Sequence, residues 1–141
     1  MPIAAMHHTT HVRVRYAETD QMGVAYHAHY LVWCEVARTD LIRAAGTPYR
    51  ALEEAGVRLA VVDAAIRYHA AASYDDLIRI DTQIERVRSR GITFRYEMVR
   101  EAPAPSVHLA SAHTTLIATA ADGSVRRLPR HVRNALAEHG P

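Results

Sequence analysis

The stretch RYAETDQMGVAYHAHY, residues 15 to 30, sets a carboxylate, Asp20, seven positions before an imidazole, His27, where a helix has to begin. A carboxylate beside a helix N-terminus faces amides that polarise a carbonyl, and can itself act as general base or nucleophile. The imidazole can orient a substrate or move protons. Each residue also has a plain structural use. An aspartate with a glycine three positions on suits a turn whose amides the side chain accepts from, and a histidine that opens a helix is commonly a partly buried hydrogen-bonding group. Tyr16 falls on the apolar phase of the preceding strand, which makes it a core residue whose hydroxyl can reach the same cleft.

Other candidate chemistry is sparse. His27 and His29 spell H-A-H, but no third ligand stands at a recognisable spacing, so no metal centre is expected. Cys34 lies on the apolar arc of the helix and is read as packing rather than as a nucleophile. Glu35 and Arg38, three apart on that helix, suit a structural ion pair. No G-x-S-x-G, P-loop or G-x-G-x-x-G occurs, which removes the commonest hydrolase and nucleotide sites and leaves no cofactor to expect.

The elements that must position these residues follow from periodicity. Val12, Val14 and Tyr16 alternate with Arg13 and Arg15, a strand with one buried face. From about His27 to Ala45 the period changes to three and four. Tyr30, Trp33, Ala37, Leu41 and Ala44 form the apolar stripe, widened by Leu31 and Cys34, and Gly46 and Pro48 stop the helix. A short helical turn over 49–55 leads to a long strand over 57–70, whose apolar phase shifts near Val61-Val62 as at a bulge. Strands follow around Ile78 to Ile84, Ile92 to Met98 and 106–120, punctuated at Ser89-Arg90-Gly91, at Ala102 to Pro105 and at Asp122-Gly123. A short C-terminal helix opens at Leu128-Pro129, with Val132 and Leu136 on one side. One apolar helix and one antiparallel sheet predict a two-layer α+β domain over residues 12–138, after a flexible segment over 1–11.

Composition bounds the function. A chain of 141 residues with 49% apolar and 23% charged residues is of ordinary single-domain size. Its 17 basic residues, all arginine, are scattered and nearly balanced by 15 acidic ones, a pattern that gives no footprint for nucleic acid. A single cysteine rules out an internal disulfide and fits a reducing compartment. No secretory leader and no apolar run near the roughly 18 residues of a membrane span is present, so a cytoplasmic protein is expected.

The same residues carry a resemblance. R-Y-A-E-T-D-Q-M-G-V-A-Y-H-A-H-Y, followed by C-E-V-A-R-T-D, is similar to the signature of the hotdog-fold thioesterases of the 4-hydroxybenzoyl-CoA thioesterase family, above all the acyl-CoA thioesterase branch associated with the Tol-Pal system. The likeness continues through R-Y-H-A-A-A-S-Y-D-D-L-I-R-I-D-T-Q-I to R-R-L-P-R. It implies a long helix wrapped by an antiparallel sheet, assembled as homodimers or homotetramers with active sites at the dimer interface. It also implies hydrolysis of an acyl-CoA to free acid and coenzyme A, with Asp20 as the catalytic carboxylate and His27 and Tyr16 in support. Tyr26 and Tyr30 belong to the motif and, with Trp33, are expected to line the acyl cleft. His29 stands where asparagine or serine is common in the family, and Ala25 where a β-branched residue is, differences that bear on the pocket rather than on the catalytic groups. Arg88 and Arg90 at one turn, or Arg126, Arg127 and Arg130 near the C-terminus, suit the coenzyme A phosphates. Acyl carrier protein is an alternative carrier or partner. Hydratases and dehydratases of acyl thioesters, and non-catalytic acyl-thioester or carrier-protein binding modules, remain the competing readings of the same architecture.

Overall fold

The computed structural model describes residues 7–46 and 49–137, with Tyr49 described in its backbone only. Strand β1 (His7–Arg13) leads through a 3-10 turn (Tyr16–Glu18) into helix α1 (His29–Ala44), the short helix α2 (Tyr49–Glu54) and strand β2 (Arg58–Tyr68). Strands β3 (Leu77–Val87), β4 (Gly91–Ala102) and β5 (Val107–Thr119) then follow as successive hairpins, and helix α3 (Arg130–Ala137) ends the domain. The sheet runs β1-β3-β4-β5-β2 and every neighbouring pair is antiparallel. The chain therefore starts on one edge, crosses on α1, resumes on the opposite edge as β2, and fills the middle afterwards.

Helix α1 and strands β2 to β5 form where the periodicity placed them. On α1, Tyr30, Trp33, Cys34, Ala37, Leu41 and Ile42 are buried, and they pack on the alternate residues of β3 and β4, namely Ile78, Ile80, Ile84, Ile92, Phe94, Tyr96 and Met98. Gly46, at φ +88°, ends α1 in the left-handed conformation that glycine adopts without a Cβ penalty. The register of β2 against β5 shifts between Val61 and Asp63, the bulge foreseen from the apolar phase. Leu128, Val132 and Leu136 close the core from the C-terminal side.

Several expectations are corrected. The first strand runs from His7 to Arg13, so residues 7–11 pair with β3 rather than forming a flexible lead; residues 1–6 lie outside the described residues, as does Pro48. Strand β1 ends before Tyr16 because the backbone at Val14 turns to exchange hydrogen bonds with Asp75 and Asp76 (Asp75 N to Val14 O, 2.9 Å; Val14 N to Asp76 O, 3.0 Å). Tyr16 consequently leaves the apolar phase and is 78% exposed, edge-on to Tyr74 at 5.6 Å, instead of in the core. Leu31 is 42% exposed because α1 leaves that flank uncovered.

The two sheet edges differ. β1 is short and carries His7, His8, His11 and Arg13, charges and polar groups that blunt an edge. β2 is eleven residues long, and apart from Leu59 and the half-buried Ile66 its side chains are exposed, Val61 and Val62 among them.

Candidate active site

The motif is held by a buried carboxylate that sequence reasoning passed over. Glu18, only 4% exposed, accepts from the Arg15 amide (2.8 Å) and from the Trp33 indole Nε1 (3.1 Å), and the Arg15 guanidinium lies 3.6 Å away. Burial alone would raise its pKa, but the Arg15 amide, the Trp33 indole and the Arg15 charge together hold it below the usual glutamate value. The carboxylate thus ties the 3-10 turn to the first turns of α1. Its backbone carbonyl accepts from Tyr26 N (2.8 Å), and Thr19 bridges Ala25, so residues 18–26 form a closed loop with Asp20 near its tip. The sequence signal was present: an i to i+3 acidic residue reaching back to a turn amide is half of a capping box.

At that tip the turn geometry read for Asp20 is present. Oδ1 accepts from Met22 N (2.8 Å), the Asp20 carbonyl accepts from Gly23 N (3.0 Å), and Gly23 sits at φ +80°, which favours glycine. The second carboxylate oxygen has no hydrogen-bond partner among the described residues. One oxygen therefore fixes the side chain and the other stays available.

The segment that follows is braced by residues 68–73. Ala25 N donates to Ala72 O (2.8 Å), Ala72 N donates to the Tyr30 hydroxyl (3.2 Å), and Tyr68 Oη donates to the His27 carbonyl (2.8 Å). Helix α1 then begins with no side-chain cap at Ala28. The amides of His29, Tyr30 and Leu31 find carbonyls at Tyr26, His27 and Ala28, whereas those of His27 and Ala28 have no acceptor among the described residues. Two consecutive free N–H groups at the positive end of a sixteen-residue helix make an electrophilic corner for a carbonyl oxygen.

The other predicted residues separate into groups. His27 is exposed, its ring 4.5 Å from Tyr26 and 6.3 Å from Tyr68, and no hydrogen bond joins its imidazole to Asp20 among the described residues. Tyr26 is 45% exposed beside the same loop. Tyr30 and Trp33 are each 2% exposed, because they lie on the face of α1 that meets the sheet, and Trp33 also borders a surface cleft with Arg15, Glu18, Val32 and Val36. Cys34 is fully buried and its thiol is pushed up to about 12 by desolvation, as suits a packing residue. Glu35 and Arg38 form no ion pair, and Arg38 instead lies beside Tyr96 and Cys34. Among the described residues no three His, Cys, Asp or Glu side chains converge as metal ligands.

The two arginine groups weighed as alternatives share one corner. Ala118 N donates to Arg90 O, Arg126 N to Ala118 O and Leu128 N to Ser89 O, each at 2.8 Å, so the 126–128 segment lies along the turn that carries Arg88 and Arg90. That corner is at the Val87 end of β3, whereas the Asp20 loop is anchored at the Leu77 end. An eleven-residue strand spans about 35 Å, so one chain does not bring Arg88 and Arg90 to its own Asp20.

Comparison with known proteins identifies the fold and the family. The chain is 41% identical over 102 residues, 72% of its length and 74% of the relative's, to a putative acyl-CoA thioesterase, YneP, of Bacillus subtilis. Its fold superposes on the crystal structure of a hypothetical protein, TT1821, from Thermus thermophilus with TM-score 0.85 at 36% identity, covering 93% of this chain and 98% of that one. It superposes on a DHNA-CoA thioesterase from Staphylococcus aureus with TM-score 0.87 at 30% identity, covering 94% and 89%. The architecture is the hotdog fold, a long helix against an antiparallel sheet. Residues 14–136 match the model of the thioesterase-like superfamily, and the chain belongs to that family.

Proposed function

We propose that this protein is a thioester hydrolase that converts acyl-CoA to free acid and coenzyme A at a site built on Asp20 and the His27 and Ala28 amides. The observation that carries the reading is the unpaired Asp20 oxygen in the loop that leads to two acceptor-free amides at the α1 N-terminus. A thioester carbonyl is weakly resonance-stabilised, so catalysis consists mainly of placing an attacking oxygen and stabilising the oxyanion that develops. The helix-start amides serve the oxyanion. Asp20 either takes a proton from an attacking water, or attacks the acyl carbon itself to give a mixed anhydride that water then cleaves. In both routes the C–S bond breaks, the thiolate leaves as coenzyme A, and the proton from water ends on the thiol. His27 and the exposed Tyr16 support the reaction from the rim, orienting substrate or moving protons, and Tyr26 borders the acyl group.

The distant arginine corner is reconciled with this site by a second copy of the chain. Beyond Leu59 the outer edge of β2 is uncharged at Val61-Val62 and uncovered by α1, which suits pairing with the β2 of a partner. Antiparallel two-fold pairing sets the Arg58 end of one β2 beside the Tyr68 end of the other, and with it one subunit's arginine corner near its partner's Asp20 loop. Arg88 and Arg90, with Arg126, Arg127 and Arg130 behind them, then meet the coenzyme A phosphates. A homodimer is the minimal active unit on this reading, and a homotetramer repeats it. Acyl carrier protein is a further candidate carrier of the acyl group. A free, buried thiol suits a cytoplasmic setting, and no helix among the described residues is long and apolar enough to cross a membrane.

The test is thiol release from short, branched, long and aromatic acyl-CoAs by the native protein and by Asp20→Asn. We expect release that falls by roughly 10²- to 10⁴-fold in the variant with the fold intact. Native-like release by Asp20→Asn would remove the assignment of the carboxylate. A change at an enoyl group without thiol release would place the protein among the hydratases.

A further inference from the structure

Tyr68 sits at the end of β2, forty-one residues from His27 in sequence, yet its hydroxyl donates to the His27 carbonyl at 2.8 Å. That carbonyl belongs to the same peptide unit as the Ala28 N–H. A trans peptide is planar, with its C=O and N–H pointing in opposite directions, so fixing the carbonyl fixes the line of the amide. The helix itself holds this peptide poorly. Among the described residues the only other donor to the His27 carbonyl is Tyr30 N at 3.4 Å, beyond the usual range of an N–H to O bond. Tyr68 is in turn held from the core, its ring edge-on to Tyr30 at 5.0 Å and 85°, and Tyr30 is pinned by Ala72 N. A donor on the carbonyl also polarises the peptide and strengthens its N–H as a donor.

We infer that Tyr68 is a positioning residue of the thioesterase site: its hydroxyl sets the His27–Ala28 peptide so that the Ala28 N–H points at the thioester carbonyl oxygen. The inference rests on the proposed hydrolase reading and adds a residue to it that touches neither substrate nor Asp20. Because Tyr68 belongs to the edge strand β2, the aim of that amide is tied to the state of that strand.

Tyr68→Phe keeps the ring and its contact with Tyr30 and removes only the hydroxyl. We expect kcat to fall about 10- to 30-fold, less than the roughly 10²- to 10³-fold of deleting an oxyanion donor outright, while KM changes less than about two-fold. Circular dichroism and the oligomeric state should match the native protein. The second readout is the infrared stretch of the carbonyl of an acyl-CoA bound to Asp20→Asn, where turnover is too slow to consume it. Adding Tyr68→Phe in that background should move the stretch back toward its value in solution, a change that a merely structural role would not produce. If kcat stays within about two-fold of native, or the stretch does not move, the role assigned to Tyr68 is wrong while the hydrolase reading stands. If the native protein releases no thiol, the hydrolase reading falls first.

Discussion

Replacing Glu18 by glutamine tests whether a buried carboxylate holds the active-site loop. The substitution is isosteric, so it opens no cavity. Both oxygens of Glu18 face protein donors, Oε1 the Arg15 amide at 2.8 Å and Oε2 the Trp33 indole at 3.1 Å. A glutamine has one oxygen and one NH2 group, and in either orientation the NH2 faces an N–H. Losing one charged hydrogen bond costs about 1.5–3 kcal/mol, and the donor left unsatisfied at a buried site about 1–3 kcal/mol more, for a total of ~3 kcal/mol toward the lower end of that range. At constant protein concentration this corresponds to a fall in Tm of about 10 °C. The effect carries a pH signature. Glu18 titrates below its ordinary value of 4.5 in the folded protein, so its contribution is present above that pH and lost as pH falls through the folded value. The gap between native protein and Glu18→Gln, measured by urea unfolding, should therefore be constant near neutrality and shrink below pH 4.5. A variant within about 0.5 kcal/mol of native at neutral pH, or a gap that ignores pH, would refute the account, since ordinary surface substitutions stay inside that limit.

Two further outcomes follow from the packing and the charge pattern. Gly91→Ala places a Cβ 2.8 Å from the Leu116 carbonyl oxygen, a backbone atom that moves only with its strand, so stability should drop by about 1–3 kcal/mol in thermal unfolding, and an unchanged Tm would contradict the close β4–β5 approach. Replacing Arg88 and Arg90 together by alanine should raise KM for acyl-CoA about 10-fold or more, as lost charge-assisted phosphate contacts predict, while short thioesters that lack the nucleotide are spared; equal effects on both substrates would dismiss the arginine corner as a nucleotide clamp.

What the sequence determined by itself is what local periodicity encodes. The three- and four-residue recurrence through Tyr30, Trp33, Ala37 and Leu41 specified α1, the alternation through Ile92, Phe94, Tyr96 and Met98 specified β4, and the apolar phase slip at Val61-Val62 located the bulge, because each pattern is the imprint of one buried face. The loop around Asp20 was legible for a similar reason, since its hydrogen bonds to Met22 and Gly23 are local. Periodicity says that a face is buried and not against what. The strand order, with β2 beside β5 and far from β1, depends on pairing between segments remote in the chain. So do the burial of Tyr30 and Trp33 against the sheet, the release of Tyr16 to solvent where Val14 bonds to Asp75 and Asp76, and the gathering of five arginines at the end of β3 opposite Asp20. Glu18 and Tyr68 belong to this second class. Their partners, Trp33 and the His27 carbonyl, are fifteen and forty-one residues away, and only the packing of α1 on the sheet and the course of β2 bring them within hydrogen-bonding distance.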